Sequence, residues 1–133
     1  MVNEIKTPNV PGAPSILSQG TELDGFVFTS GQIHLKLDGT LVKGTMKDKT
    51  KQVMSNLEAI LEAAECRFSN VLKTTVYITD MEKYGEFNET YATYFEKPLP
   101  AREVVCVKAL PLGAELEISM IAKKQTEKSC CCS

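Results

Sequence analysis

Two side chains in this sequence could do chemistry together. Arg102 begins an apolar strand, and Glu117 lies inside the next one. Placing a guanidinium or a carboxylate near a core is costly unless the group contacts a ligand or a partner subunit. A guanidinium offers a two-nitrogen fork that matches a carboxylate, and a glutamate can act as a general acid or base. We therefore predict that Arg102 and Glu117 carry the function.

Length and composition predict one ordinary globular domain. The chain has 133 residues, of which 43% are hydrophobic and 24% are charged. It is long enough to bury roughly two thirds of its unfolded surface, and no apolar run approaches the roughly 20 residues of a membrane helix. The net charge is -2, and the basic residues form no stripe. We therefore do not expect nucleic acid as a partner.

Cysteine usage indicates a reducing compartment. The chain has 5 cysteines, and neither Cys66 nor Cys106 has a spacing typical of a disulfide or a metal site. The first 20 residues are polar and contain three prolines, so we expect no signal peptide. These features predict a cytoplasmic rather than a mitochondrial protein with reduced thiols.

The C-terminus differs from the rest of the chain. We predict a single domain over residues 1–124 and a disordered, polar tail over 125–133 that includes Cys130, Cys131 and Cys132. A cysteine four residues from the end resembles a prenylation signal, but the two residues after it are not aliphatic. Membrane attachment is therefore expected only if this tail is lipidated.

The first half of the chain predicts a strand, a tight turn and a helix. The apolar run Phe26–Thr29 is typical of a buried strand, and Ser30-Gly31 stops it. Thr45 and Asp48 have the spacing of a capping box at a helix start. One face of that helix is apolar, formed by Val53, Leu57, Ile60, Leu61 and Ala64.

The second half predicts a strand, a helix and two strands. Residues 71–78 alternate as a strand, with Leu72 expected on the same face as Thr74, Val76 and Ile78. Asp80 is expected to cap the second helix, whose apolar stripe of Tyr84, Phe87, Tyr91, Tyr94 and Phe95 we interpret as core packing. The final strands, 102–108 and 115–122, are expected to pair antiparallel around Leu110–Gly113.

These elements predict an α+β fold in which a mixed sheet carries both helices on one face. The other face would hold Arg102, Val104 and Cys106 from one strand and Glu115, Glu117 and Ser119 from its partner. On that register Arg102 and Glu117 share a face but lie roughly 13 Å apart along the sheet. Such a mixed apolar and charged face is typical of a subunit interface, so we expect an oligomer.

Seven segments, in order, resemble the reactive intermediate deaminase family, also called RidA/YjgF or perchloric-acid-soluble protein. They are Ser18-Gln19-Gly20, Ser30-Gly31-Gln32-Ile33, Lys73-Thr74-Thr75-Val76-Tyr77, Phe87-Asn88-Glu89-Thr90-Tyr91, Pro100-Ala101-Arg102, Leu110-Pro111 and Leu116-Glu117-Ile118. The resemblance implies a chorismate-mutase-like fold, a homotrimer with a barrel-like sheet core, and sites between subunits. It also implies hydrolysis of imino acids such as 2-aminoacrylate to 2-keto acids and ammonia, without metal or organic cofactor.

The same resemblance implies roles for individual residues. Arg102 matches the carboxylate-binding arginine, and Glu117 matches the glutamate that positions the attacking water. Ser30, Gly31 and Asn88 match residues that line the cleft. Three positions depart from the family pattern: Leu17 stands where a pocket tyrosine is usual, Glu103 where a small residue is usual, and Val104 where a cysteine is frequent. Leu17 could slow turnover or favour bulkier apolar substrates.

Two alternative functions stay open. Some family members have been described as endoribonucleases and translation inhibitors, although this chain lacks a basic groove, a histidine pair and an aromatic platform. The other alternative is a non-catalytic trimer that binds a small molecule in the same cleft, which Leu17 favours. His34, the only histidine, has no partner at catalytic spacing and is not expected to act as a base or ligand.

Overall fold

The computed structural model describes residues 1–125 as a mixed seven-stranded sheet with two helices packed against one face, which confirms the predicted α+β fold. The strands are β1 Asn3–Ile5, β2 Gly20–Leu23, β3 Phe26–Thr29, β4 Gln32–Ile33, β5 Val71–Ile78, β6 Ala101–Cys106 and β7 Leu116–Lys123, and the helices are α1 Met46–Ala63 and α2 Tyr84–Tyr91. The predictions for the tail cysteines lie outside the described residues.

Helix α1 begins where the sequence predicts. The Thr45 hydroxyl accepts from the Asp48 N–H at 3.1 Å, and the Asp48 carboxylate accepts from the Thr45 N–H at 3.3 Å, which completes the capping box. All five residues of the predicted apolar face are buried, none more than 3% exposed. Within residues 1–125 no helix is long and apolar enough to cross a membrane.

Helix α2 is shorter than predicted. Asp80 caps a 3-10 turn, Met81–Lys83, by accepting from the Glu82 N–H at 2.9 Å, and α2 follows directly. The helix ends at Tyr91 and continues as a second 3-10 turn, Ala92–Tyr94. Tyr94 and Phe95 therefore lie beyond α2, where both rings pack on Phe68.

The predicted pairing of the last two strands is wrong. The strand order is β1-β2-β3-β7-β5-β6, with β4 beside the other half of β7, so β5 lies between β6 and β7. Helix α2 is the crossover that makes β6 parallel to β5, and β7 then adds antiparallel on the opposite side of β5. Strand β5 is central because its helix-facing residues, Thr74, Val76 and Ile78, are fully buried.

This register places Arg102 and Glu117 on opposite faces of the sheet, not on the same face as predicted. Arg102 pairs with Thr74, which is buried beneath the helices, whereas Glu117 pairs with Tyr77 on the other face. Side chains alternate along a strand, so Val104 follows Arg102 onto the helix side.

Four further side chains differ from prediction. Only Val27 of β3 is buried; Phe26 and Phe28 are 40% and 45% exposed because they point to the face without helices. A bulge between Val71 and Lys73 leaves Leu72 half exposed. Glu115 precedes β7 and turns toward the helices rather than the open face, because it pairs there with two lysines.

The face without helices, here called the open face, is partly apolar. Its residues, placed by register, include Leu23, Phe26, Phe28, Ile33, Tyr77, Val105 and Ile121. Several of them are 40% to 45% exposed in a single chain, among them Phe26, Phe28 and Val105. An apolar sheet face of this kind is a candidate subunit interface.

Candidate active site

Arg102 and Asn88 meet in one cavity, here called the arginine pocket. The cavity has a volume of about 320 Å³, and its walls are Asn88, Tyr91, Ala92, Phe95, Leu99, Pro100 and Arg102.

The pocket has a cation at one end, an amide from α2 beside it, and apolar walls. A guanidinium in such a setting binds a carboxylate, and the apolar walls accept a small aliphatic group.

Helix α2 holds the guanidinium of Arg102 in place. Arg102 Nη2 donates to the Tyr84 hydroxyl at 2.8 Å, and its Cζ lies 5.0 Å from the centre of the Tyr91 ring. The Tyr91 hydroxyl is hydrogen-bonded to the hydroxyl of Thr74 at 2.8 Å. Burial raises the pKa of Tyr91, so its phenol stays neutral beside the cation. Tyr84 thus does more than pack in the core, and its hydrogen bond to Arg102 was not predicted from the sequence.

Asn88, which lines the arginine pocket, has a hydrogen-bond acceptor without a partner in the described part of the chain. Its side-chain oxygen is buried and has no hydrogen-bond partner within residues 1–125. An unpaired buried carbonyl is costly, so a ligand N–H that reached it would gain a full hydrogen bond. Arg102 and Asn88 together therefore present one cation and one acceptor, the pattern that suits a carboxylate next to a nitrogen.

Glu117 lies in a second cluster, here called the glutamate patch, on the open face. Its register partners are Tyr77 on β5 and Ile33 on β4. A Cβ added to Gly31 would lie 2.8 Å from the Glu117 Cδ, so the carboxyl group packs directly against this glycine. Burial raises the pKa of Glu117. A carboxyl group with a raised pKa is suited to proton transfer.

Ser30 belongs to the glutamate patch through the backbone. Its hydroxyl donates to the Ser18 carbonyl at 2.6 Å, and its N–H donates to the Gln19 carbonyl at 2.9 Å. The hydroxyl proton is therefore already used, which leaves only the oxygen lone pairs to interact with a ligand. The predicted role of Ser30 is narrowed to that of an acceptor.

The arginine pocket and the glutamate patch do not meet within one chain. Arg102 and Glu117 are separated by two strand spacings across the sheet and three residues along it, roughly 14 Å between backbones, and they point to opposite faces. The fold brings Arg102 together with Asn88 and brings Glu117 together with Ser30 and Gly31. Each cluster is half of the predicted site.

Leu17 and Val104 lie at the margins of these clusters. Leu17 is 42% exposed and lines a separate cavity of about 390 Å³ beside the N-terminal segment, with Pro8, Val10 and Pro14 among its walls. It directly precedes Ser18, which anchors Ser30. Val104 is partly buried against the core, two residues beyond Arg102. Neither side chain lines the arginine pocket.

A charged cluster behind β7 was not predicted. Glu115 Oε1 lies 2.8 Å from Lys49 Nζ and 2.9 Å from Lys83 Nζ, and these hydrogen bonds lower the pKa of Glu115 to about 2. The Glu115 N–H donates to Nε2 of the buried His34 at 2.9 Å. Burial, with a smaller effect from Lys49, lowers the pKa of His34. His34 is thus a structural acceptor.

The described residues contain no group of three or more His, Cys, Asp or Glu side chains that could hold a metal ion. Cys66 and Cys106 are both free thiols. Cys66 is buried, and burial raises the pKa of its thiol.

Comparison with known proteins supports the relationship that the segments indicated. The family model described as Endoribonuclease L-PSP matches residues 7–124. A RutC family protein of Aquifex aeolicus is 45% identical over 126 residues, which is 92% of this chain and 100% of that protein. The 2-iminobutanoate/2-iminopropanoate deaminase of Mus musculus is 44% identical over 119 residues, covering 89% of this chain and 88% of the relative.

A solved structure agrees with these sequence matches. The crystal structure of E. coli TdcF with bound serine superposes with a TM-score of 0.85 at 35% identity, covering 92% of this chain and 99% of TdcF. With a family model over residues 7–124 and relatives above 40% identity along nearly their whole length, this chain belongs to the Endoribonuclease L-PSP family, which is the RidA/YjgF family.

Proposed function

We propose that this protein hydrolyses small 2-imino acids, of the 2-iminopropanoate and 2-iminobutanoate type, to 2-keto acids and ammonia. The observation that carries the proposal is the arginine pocket, which has apolar walls and is also lined by Arg102 and by Asn88, whose buried side-chain oxygen has no hydrogen-bond partner within residues 1–125. A 2-imino acid offers a carboxylate, an adjacent N–H and a small aliphatic group, so each part has a matching partner.

Two relatives support this choice of substrate. The mouse relative is named 2-iminobutanoate/2-iminopropanoate deaminase, and E. coli TdcF was solved with bound serine. Serine, like an imino acid, carries a carboxylate and a nitrogen on the same carbon. We carry this ligand chemistry over to Arg102 and Asn88 of the present chain.

The proposed reaction adds water across the C=N bond. Arg102 holds the carboxylate, and Asn88 accepts a hydrogen bond from the imine nitrogen. Glu117 takes a proton from water while the water oxygen bonds to the imine carbon, and it returns that proton to the nitrogen to give a carbinolamine. The carbinolamine hydroxyl then gives its proton to Glu117, which passes it to the amino group. The C–N bond breaks, its electrons leave with nitrogen as ammonia, and the keto group forms.

This mechanism requires Glu117 and Arg102 to come from different chains. Because the two clusters lie on opposite faces about 14 Å apart, one substrate cannot reach both within a protomer. We propose a homotrimer in which the open faces pack together and the arginine pocket of one protomer meets the glutamate patch of the next. The exposed Phe26, Phe28 and Val105 would be buried at that interface.

The proposal is tested by generating 2-iminopropanoate in situ with an amino acid oxidase and following keto acid release. The protein should accelerate release, and Arg102→Ala should reduce kcat/KM by at least about 100-fold, since it loses two charge-assisted hydrogen bonds. Arg102→Lys should also be poor because lysine lacks the fork. Circular dichroism should show that both variants remain folded.

The same preparation separates the two alternatives. RNA cleavage without imine hydrolysis would replace the proposal with the endoribonuclease function that the family model's description names. Binding of a keto acid without turnover would leave a small-molecule-binding protein. An Arg102→Ala variant with full activity would remove Arg102 from the site.

We place this activity in the cytoplasm. Cys66 and Cys106 are free thiols, as is usual for proteins kept in a reducing compartment. Fractionation of cells that express the full chain, with antibody detection, tests this location, and recovery in a mitochondrial fraction would contradict it.

A further inference from the structure

The backbone of Arg102 lies on an edge strand, and its guanidinium lies against the aromatic rings of α2. Arg102 lies on β6, which pairs with β5 alone among the described strands and forms the edge of the sheet. Its guanidinium lies among three rings of α2, with centroids 5.0 to 5.9 Å from Cζ. Ring faces attract the cation but do not fix its rotation, because their attraction has little in-plane direction.

The Tyr84 hydroxyl supplies the missing direction. It accepts from Arg102 Nη2 at 2.8 Å. A guanidinium binds a carboxylate through one of two forks, formed by Nε with Nη2 or by Nη1 with Nη2. Each of the two Nη2 hydrogens serves one fork. The bond to Tyr84 therefore occupies one fork and leaves the other complete.

Tyr84 acts on the pocket only through Arg102. Its side chain is not among the residues that line the cavity. It is also held at its own end, since it begins α2 directly after Lys83, whose ammonium lies 2.9 Å from Glu115. The Tyr84 hydroxyl is thus held in position, and its hydrogen bond orients the Arg102 guanidinium.

We propose that Tyr84 is a positioning residue that holds Arg102 so that a single two-nitrogen fork faces the arginine pocket. The inference rests on the proposed function only for the identity of the anion, a 2-imino acid carboxylate. The orientation of the guanidinium by Tyr84 is a property of the protein alone and can be measured without substrate.

The test removes the hydroxyl and keeps the ring. Tyr84→Phe is compared with Tyr94→Phe, which deletes a hydroxyl from a residue that packs on Phe68 instead. The chain contains only two arginines, Arg67 and Arg102, so side-chain Nε–H signals in the NMR spectrum can be assigned by Arg102→Lys. We expect the order parameter of Arg102 Nε–H to fall in Tyr84→Phe while that of Arg67 stays constant.

Binding and kinetics give a second readout. The Kd for 2-oxobutanoate, the keto acid product of 2-iminobutanoate hydrolysis, should rise about tenfold in Tyr84→Phe, as expected for loss of a hydrogen bond to a charged group. KM for the imino acid should rise by a similar factor with kcat within twofold, because the carboxylate is held equally in ground and transition states. The Tyr94→Phe variant should match the parent protein in all three measurements.

The outcomes separate this inference from the proposed function. An unchanged Arg102 order parameter in Tyr84→Phe would overturn it, and so would an equal change in Tyr94→Phe. If the parent protein hydrolyses no imine but the NMR signal responds as expected, the proposed function fails and the positioning role stands. Because the NMR measurement needs no ligand, it decides the inference in every case.

Discussion

The two residues with proposed chemical roles differ in their surroundings. Arg102 is surrounded by aromatic rings and a hydroxyl that orient it, whereas Glu117 packs against a glycine and two apolar neighbours. The first setting suits binding, because the cation keeps its charge and direction. The second suits proton transfer, because burial raises the pKa of the carboxyl group toward the working pH.

The raised pKa of Glu117 predicts a distinct pH profile. As a base Glu117 must be ionised, so kcat/KM should fall as pH drops through a pKa that lies above the ordinary value of 4.5. Glu117→Gln should lower kcat by about 10²- to 10⁴-fold and abolish this acidic limb. The measurement is the pH dependence of keto acid release, with Arg102→Lys as a control that keeps the limb. A limb that persists in Glu117→Gln would assign it to another group.

At the scale of elements, α2 and β7 are tied together by charge. Glu115, just before β7, contacts Lys49 on α1 and Lys83 at the start of α2. Helix α2 also supplies Asn88 and Tyr91 to the arginine pocket, and its Tyr84 hydroxyl accepts a hydrogen bond from Arg102. The charged cluster therefore fixes the helix that builds the pocket, although none of its members lines it.

This cluster predicts an acid-sensitive stability. The pKa of Glu115 is about 2 in the folded chain against an ordinary 4.5, so its contribution is present above pH 4.5 and is lost as pH falls toward 2. Glu115→Gln should lower the free energy of unfolding at pH 7 by about 1 to 2 kcal/mol after allowance for solvent screening. Urea titrations at several pH values provide the measurement.

A surface ion pair serves as the control for that experiment. Glu103→Gln breaks the exposed contact with Lys73 at 2.7 Å and should change stability much less. If Glu115→Gln costs the same at pH 7 and near pH 2, the ion pairs with the two lysines are not the source of its effect.

At the scale of the whole molecule, a single chain leaves an apolar surface uncovered and the proposed site incomplete. The uncovered surface is the open face, whose large apolar side chains meet solvent in a single chain. The halves of the proposed site face opposite sides of the sheet. One assembly of several copies would cover the first and complete the second, which is why we link oligomerisation to activity.

A charge on the open face should therefore abolish imine hydrolysis without altering Arg102 or Glu117. Phe28→Asp places a carboxylate on a residue that is 45% exposed and lies opposite Ile121 in the register. We expect monomers by sedimentation and at least about a 100-fold loss of imine hydrolysis with Arg102 and Glu117 intact. Leu37→Asp, on an exposed loop residue away from the sheet, should keep both assembly and activity. An active monomer at high dilution would move the complete site into one chain.

The sequence by itself determined the local features of this protein. The capping box of α1, its apolar face and the alternation of β5 depend on neighbouring residues, so periodicity and side-chain type predict them. The family segments likewise identified Arg102, Asn88 and Glu117, and the fold places Asn88 beside Arg102. The domain boundary near residue 124 and the roles of these residues stay predictions.

Only the tertiary structure decided which strands are neighbours and which face each presents. The turn at Leu110–Gly113 is compatible with a hairpin, yet β7 pairs with β5, because that arrangement buries Leu116, Ile118 and Met120 under the helices. Alternation fixes which residues of a strand share a face, but the choice of face depends on non-local pairing. That choice separated Arg102 from Glu117 and placed the Tyr84 hydroxyl on the guanidinium, and no local pattern could have shown either.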